Sequence, residues 1–280
     1  MKRGAAVASS AYAPEQSTGR SMATAARLAQ RYGLSFGAPA LVLLVVLALW
    51  QFVLHQQQLP APSAIFAALG ANLALILSDV QVTFWQEALR GYVVGCGLGF
   101  LAGVLCSRFD WLRRGLVPYA VLSNSIPIIA FSPIMVFWFG FEWPSKAAVV
   151  LVLCFFPMLI NTTTGLISYP SLSRDLLTSY AANGLTVFTK LQLPAALPMI
   201  FNGLKICSTL SVIGATVAEY FSSLGKGLGS QIQDGASAAA WDLVWACVFA
   251  ACLVGIIFYA ILLLLERLFT FWHVSYRSAS

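Results

Sequence analysis

The sequence predicts an all-α membrane protein with six transmembrane helices. Three observations carry that reading. Of 280 residues, 59% are hydrophobic and 9% charged, with a mean hydropathy of +0.82, whereas soluble domains carry roughly 25% charged residues. Apolar runs recur at close to the roughly 20 residues needed to cross a hydrocarbon core ~30 Å thick. Lysine and arginine crowd into alternate connections, as the cytoplasmic side of an inserted chain requires.

Residues 1–35 are rich in Ala and Ser and carry Lys2, Arg3, Arg20, Arg27 and Arg31 against one acid, Glu15. With no sustained apolar run, they read as a basic, disordered cytoplasmic extension. The run 36–54 exceeds the about 7–15 apolar residues of a signal-peptide core and is followed by polar His55–Gln58, so it is expected to be the first span. The second span is expected at 83–106, where Gly91, Gly95, Gly99 and Gly103 recur every fourth residue and leave one helical face bare for a neighbouring backbone.

The third span, 116–138, contains Asn124, Ser125, Pro127, Ser132 and Pro133. Prolines free backbone carbonyls, which neighbouring helices or a wet cavity must then satisfy, so this helix belongs inside the bundle. Asn124, Pro127 and Ser132, with Asn161 of the fourth span (145–167) and Glu219 of the fifth (199–221), are candidate translocation-pathway residues. The sixth span is expected at 241–269. Phe131, Trp138, Phe156 and Asn161 could flank a flat heterocycle, although packing is the ordinary use of such aromatics.

With both termini inside, Lys2, Arg3, Arg20, Arg27, Arg31, Arg108, Arg113, Arg114, Arg174, Lys190, Arg267 and Arg277 are cytoplasmic, and only Lys146 and Lys226 flank outer loops. The net charge of +6 therefore reports topology, and no nucleic-acid partner is expected. At membrane depth lie Glu87, Arg90, Lys205 and Glu219, and a charge there needs a partner or a polar path. Glu87 and Arg90, three residues apart, could pair locally or reach the interface, as could Lys205. Glu219 has no basic residue one turn away and is a candidate gate or pathway residue.

Cys96, Cys106, Cys154, Cys207, Cys247 and Cys252 all lie in apolar segments without paired spacing, and the two histidines, His55 and His273, are far apart. The cysteines read as small buried hydrophobes, and no metal or other cofactor is expected on this chain.

The polar segment 168–198 is too polar to span and suits two short helices joined by a turn. It resembles the cytoplasmic coupling loop of binding-protein-dependent ABC importer permeases, whose consensus is Glu-Ala-Ala, three residues, Gly, nine residues, Ile, any residue, Leu-Pro. Anchored on Leu193 and Pro194, the isoleucine position falls on Leu191, the glycine on Ala181 and the glutamate on Asp175, with no gap. Alanine at 181 suggests a turn that does not demand positive φ there, with Gly184 supplying flexibility. Leu59-Pro60-Ala61-Pro62-Ser63, Ile126-Pro127 through Phe139-Gly140, Leu193 to Pro198, Ala218-Glu219 followed by Gly227-Leu228-Gly229, and Glu266-Arg267 through Trp272 extend the resemblance over residues 36–273. Ser179 to Asn183, Leu204-Lys205 and Leu210 to Ala215 look most like the branch that carries riboflavin or thiamine-pyrimidine precursors, near the sulfonate, taurine and nitrate permeases.

The resemblance implies the type I ABC importer permease fold over 36–273 in a bacterial inner membrane, surrounded by lipid. It further implies a homodimer, partner ABC ATPase subunits docked on the coupling loop, and an external solute-binding protein that delivers substrate. The chain has no phosphate-binding loop of the form GxxxxGK[ST], since Gly225-Lys226-Gly227 lacks the earlier glycine and the hydroxyl, so ATP is expected to be used by the partner. An integral-membrane enzyme would need paired acids, a histidine dyad or HExxH. An ion-coupled transporter would typically show internal repeats with acids at mid-membrane. Neither pattern is present in the sequence.

Overall fold

The computed structural model describes residues 39, 41–54, 56–123, 127–222 and 226–270. The basic extension 1–35, the start of the first expected span, Asn124 and the C-terminal tail lie outside the described residues. The chain divides into two compact units, residues 1–62 and 63–280.

In the first unit, α1 (Leu41–Leu54) ends in a π-helical turn, Trp50–Leu54. A tight turn follows, closed by reciprocal backbone hydrogen bonds between Gln56 and Leu59 of 2.9 and 3.0 Å.

In the second unit, the described residues form α2 (Pro62–Ala71), α3 (Leu73–Arg108), α4 (Asp110–Ser123), α5 (Ile128–Phe139), α6 (Trp143–Ile167), α7 (Ser171–Ser179), α8 (Gly184–Phe221), α9 (Leu228–Ser237) and α10 (Trp241–Phe269). Four of these, α3, α6, α8 and α10, are long and apolar enough to cross a membrane, and α1, α2 and part of α5 are shorter apolar helices. The bounds of α6 and α10 follow the expected fourth and sixth spans. α3 starts ten residues before the expected second span, because the segment Leu73–Gln81, with its polar Ser78, Asp79 and Gln81, is helical as well. α3 has 36 residues and α8 has 38; at 1.5 Å per residue they run about 54 and 57 Å, well beyond the hydrocarbon thickness.

The expected third span, 116–138, is corrected to two helices, α4 and α5. Pro127 sits extended between them, with ψ of 118°. It cannot donate a helical hydrogen bond. The second short helix of the polar segment is likewise corrected: from Gly184 onward the chain is one helix, passing through a π turn at Phe188–Gln192. That wide turn immediately precedes Pro194, which removes one i→i−4 bond, and a π turn accommodates such a break.

The centre is the packing of α3, α6 and α8. A Cβ built on Gly91 would lie 2.5 Å from the Ala147 carbonyl oxygen, and on Gly95 2.6 Å from that of Leu151. On Gly99 it would lie 2.5 Å from that of Phe155, and on Gly103 2.6 Å from the Thr162 Cβ. The partner numbers rise together, so α3 and α6 run parallel with backbones in contact along the whole glycine stripe. Gly165, Gly203 and Gly214 meet α6 and α8 in the opposite order, Gly165 against Ala196, Gly203 against Asn161 and Gly214 against Leu153, so α8 is antiparallel to α6. Ala88, Tyr92, Cys96, Val150, Cys154 and Cys207 are among the buried residues of this core, which Phe258 and Leu262 of α10 complete.

Gly99→Leu is therefore expected to cost about 3 kcal/mol or more, since backbone rather than a movable side chain blocks the new atoms. Gly97, which has nothing within 4 Å of its built Cβ, tolerates leucine within about 0.5 kcal/mol. Unfolding of the two purified variants in one detergent checks the contrast.

Lys205 does not reach for the interface as the sequence suggested: its Nζ donates 2.7 Å to Glu266 Oε2 of α10. This ion pair joins two helices whose apolar faces alone would not fix register.

Candidate functional site

Two assemblies lie at opposite ends of α8. At the end that holds residues 226–229, Asp79, Thr83 and Glu87 recur every fourth residue of α3, and all three are buried. The last two fall within the π-helical stretch Val82–Ala88. Such wide turns often mark functional positions in helices. Thr83 Oγ1 donates to Glu219 Oε1 at 2.8 Å. The first backbone amides of α9 then find their acceptors on other helices: Gly227 N donates to Asp79 Oδ1 at 3.0 Å, Leu228 N to Thr83 Oγ1 at 3.0 Å and Gly229 N to Glu219 Oε2 at 2.7 Å. Helix N-termini leave such donors unpaired and favour negative charge nearby. Here two acids and a hydroxyl cap α9 from a distance in sequence.

Lys146 of α6 completes the cluster. Its Nζ lies 3.7 Å from Glu87 Oε1 and donates 3.0 Å to the Phe141 carbonyl, while the Glu87 carboxyl faces that of Glu219. The two alternatives read from the sequence for Glu87, a local pair with Arg90 or a reach to the interface, are thus corrected. Arg90 instead stacks over the Trp143 ring, 4.4 Å from its centre, and Glu87 points inward to Lys146 because an isolated buried carboxylate is costly.

The glycines of this connection follow from the same geometry. Gly227 has φ of +95°, and a Cβ on it would land on the Glu219 carboxylate. A Cβ on Gly229 would meet the Thr216 carbonyl and the Glu219 Cβ. A side chain at 227 or 229 would keep the connection from closing over Glu219.

Of the candidate pathway residues, Ser132 is buried beside this cluster, its Oγ donating 3.3 Å to the Ala218 carbonyl. Pro127 opens α5. Asn161 belongs to a different part of the bundle: its Nδ2 donates 2.8 Å to the Pro157 carbonyl and its Oδ1 accepts from Asn202 Nδ2 at 3.0 Å. Ser132 and Glu219 are thus gathered around Ala218, and Asn161 pairs instead with a residue the sequence reading passed over. Asp79 and Thr83 carry no site role in the sequence reading, which gives Lys146 only as a cation flanking an outer loop, although the four-residue spacing of Asp79, Thr83 and Glu87 is visible in the sequence.

At the other end, α7 stops in a helix-ending motif. Ala181 N donates to the Thr178 carbonyl at 2.9 Å and Ala182 N to that of Leu177 at 3.0 Å, the bond pair that places one residue in the left-handed region, usually glycine. That residue is Ala181, with φ of +53°, which corrects the expectation of an ordinary turn. Gly184 is the first residue of α8, and the turn is instead fixed by Asn183, whose Oδ1 accepts from Thr186 N at 2.8 Å and Thr186 Oγ1 at 2.7 Å. Ala181→Gly is expected to stabilise this turn by about 0.5–1 kcal/mol, the left-handed penalty of alanine less the added freedom of the unfolded chain. Slower hydrogen exchange at the Ala182 amide checks it.

Asp175 and Arg174 are exposed on α7. Leu172, Leu176 and Tyr180, each four residues apart, retain 79%, 57% and 76% of their accessible surface and form one apolar stripe. Leu191, Leu193 and Pro194 are half-buried, with Leu193 packed on the core. Between this segment and the junction of α3 and α4 lies a recess of about 720 Å³ that includes Arg108, Asp110, Arg113 and Arg174.

The family described as binding-protein-dependent transport system inner membrane component matches residues 95–271. The formylaminopyrimidine transport permease of Halalkalibacterium halodurans is 30% identical over 239 residues, covering 84% of this chain and 95% of that one. A putative aliphatic sulfonates transport permease of Bacillus subtilis is 29% identical, covering 88% and 91%. The riboflavin transport system permease of Chloroflexus aurantiacus is 27% identical, covering 78% and 81%. With a long-helix bundle, no strand among its described residues and a match over more than half its length, the chain belongs to the binding-protein-dependent transport system inner membrane component family and has the type I ABC importer permease fold.

Proposed function

We propose that this ABC importer permease carries riboflavin or a thiamine-pyrimidine precursor, as half of a homodimer whose ATPase partners dock on α7. The observation that carries the docking is the stripe of Leu172, Leu176 and Tyr180. An exposed apolar face on a short helix, flanked by Arg174 and Asp175, is what an amphipathic helix presents to a groove on a partner. Closure of two ATPases around ATP would move α7. The turn at Ala181 and the Asn183 cap would pass that movement to α8, a continuous lever that ends at Glu219. There it would pull on the connection 226–229, alternately closing and freeing that end of the pathway. In this reading residues 168–192 and both termini face the cytoplasm, and a solute-binding protein delivers substrate on the opposite face, in accord with the distribution of lysine and arginine.

The substrate rests on the relatives that carry formylaminopyrimidine and riboflavin and on the loop sequence Ser179 to Asn183. The sulfonate relative favours a second reading, in which a sulfonate, taurine or nitrate is carried in the same way. Cells that hold the permease, its ATPase and its binding protein should accumulate labelled riboflavin or formylaminopyrimidine in an ATP-dependent manner. Accumulation of alkanesulfonate or nitrate without either heterocycle would replace the first reading by the second.

A further inference from the structure

Three cysteines that the sequence scatters are brought together at the centre of the bundle. Cys96 of α3, Cys154 of α6 and Cys207 of α8 are all buried, and their sulfurs lie within 4.8 Å of one another. They sit where the glycine stripe lets three helices meet: a Cβ on Gly95 would be 3.1 Å from the Cys154 Cβ. Cys154 Sγ donates to the Cys207 carbonyl at 3.5 Å and Cys207 Sγ to the Cys154 carbonyl at 3.2 Å, and the three thiols also face one another. These are weak thiol hydrogen bonds that a stronger ligand would displace. Sulfurs within 4.8 Å of one another lie no more than about 2.8 Å from a common centre, so bonds of about 2.3 Å to one atom need the three side chains to close in on it.

We propose that Cys96, Cys154 and Cys207 form a trithiol site for a trivalent thiophilic metalloid, arsenous acid being the form its chemistry fits. Sulfur selects soft ions, and depth in the membrane selects among them by charge. Three thiolates around a divalent ion leave a net negative charge in the hydrocarbon region, and around a monovalent ion two, each a cost of at least a few kcal/mol. Arsenous acid is uncharged, as are three thiols. Three As–O bonds give way to three As–S bonds, and the three thiol protons leave with the hydroxyls as three waters. Arsenic stays trivalent, and nothing is oxidised or reduced. Charge is zero before and after, so no ion has to be desolvated. The product ties α3, α6 and α8 together at one level.

The test needs no transport and so stands apart from the substrate and docking readings. Reduced full-length protein in detergent is incubated with arsenous acid and desalted, and bound arsenic is measured by elemental analysis and X-ray absorption. The expected result is one arsenic per chain with three sulfur neighbours and no oxygen. Cys96→Ser, Cys154→Ser and Cys207→Ser should each lose it while melting like the parent, and Cys252→Ala, at an exposed cysteine, should retain it. No retained arsenic, arsenic with oxygen neighbours, equal binding by Cys207→Ser, or retention of zinc(II) in its place would each overturn the site.

Discussion

Glu219→Ala is expected to lower the stability of the protein by about 3–5 kcal/mol and to stop transport, because it removes the acceptors of two buried donors at once. The Thr83 hydroxyl and the Gly229 amide both end on this carboxylate, and a buried donor left unpaired costs about 1–3 kcal/mol. Lys146 and Glu87 lose a neighbour in the same cluster, and breaking a buried charged network is among the costliest single changes. Glu219→Gln keeps the shape and one carbonyl acceptor, so it should fall between parent and alanine. Unfolding in detergent gives the order of the three proteins. Trypsin gives the location: Lys226 adjoins the connection held by Glu219, and cleavage after it should accelerate in the alanine variant before the rest of the bundle is cut. Uniform acceleration at all sites would mean that Glu219 supports the whole bundle and not this connection.

Much of this arrangement is legible in the sequence, for reasons that differ from residue to residue. Gly91, Gly95, Gly99 and Gly103 announce a contact face because a four-residue glycine repeat has one local explanation, and the face meets α6 along its length. Glu219 was visible as an acid at membrane depth. What it binds was not, because Thr83 lies 136 residues away and the donors of α9 are backbone amides that any residue but proline supplies. Asp79 was missed because Ser78, Asp79 and Gln81 interrupt an apolar run, and a window of hydropathy cannot distinguish a loop from a helix whose polar residues are satisfied by another element. The boundary of α5 is hidden in the opposite sense, the apolar composition of 116–138 masking a backbone stop at Pro127.

Ala181 is the instructive reversal. Alanine in the sequence points to an ordinary turn, yet the two closing hydrogen bonds to Leu177 and Thr178 impose a left-handed residue whatever its side chain, and alanine accepts the strain. The pairs Lys205 with Glu266 and Cys154 with Cys207 lay beyond any local rule. Each joins helices 61 and 53 residues apart in sequence.

The central claim is that α7 is where energy enters this permease, and its second large expected effect follows from one surface. Leu172→Asp with Leu176→Asp places two charges on the exposed stripe. Neither leucine is packed against the bundle, so the fold should change by no more than about 0.5 kcal/mol per site. A docked apolar face that must instead bury two carboxylates should lose its partner altogether. The direct measurement is the amount of ATPase subunit that co-purifies with the permease from membranes, for parent and double variant at equal permease yield and equal melting temperature. The account predicts near-complete loss of the ATPase from the variant; an undiminished ATPase on a folded double variant would contradict it.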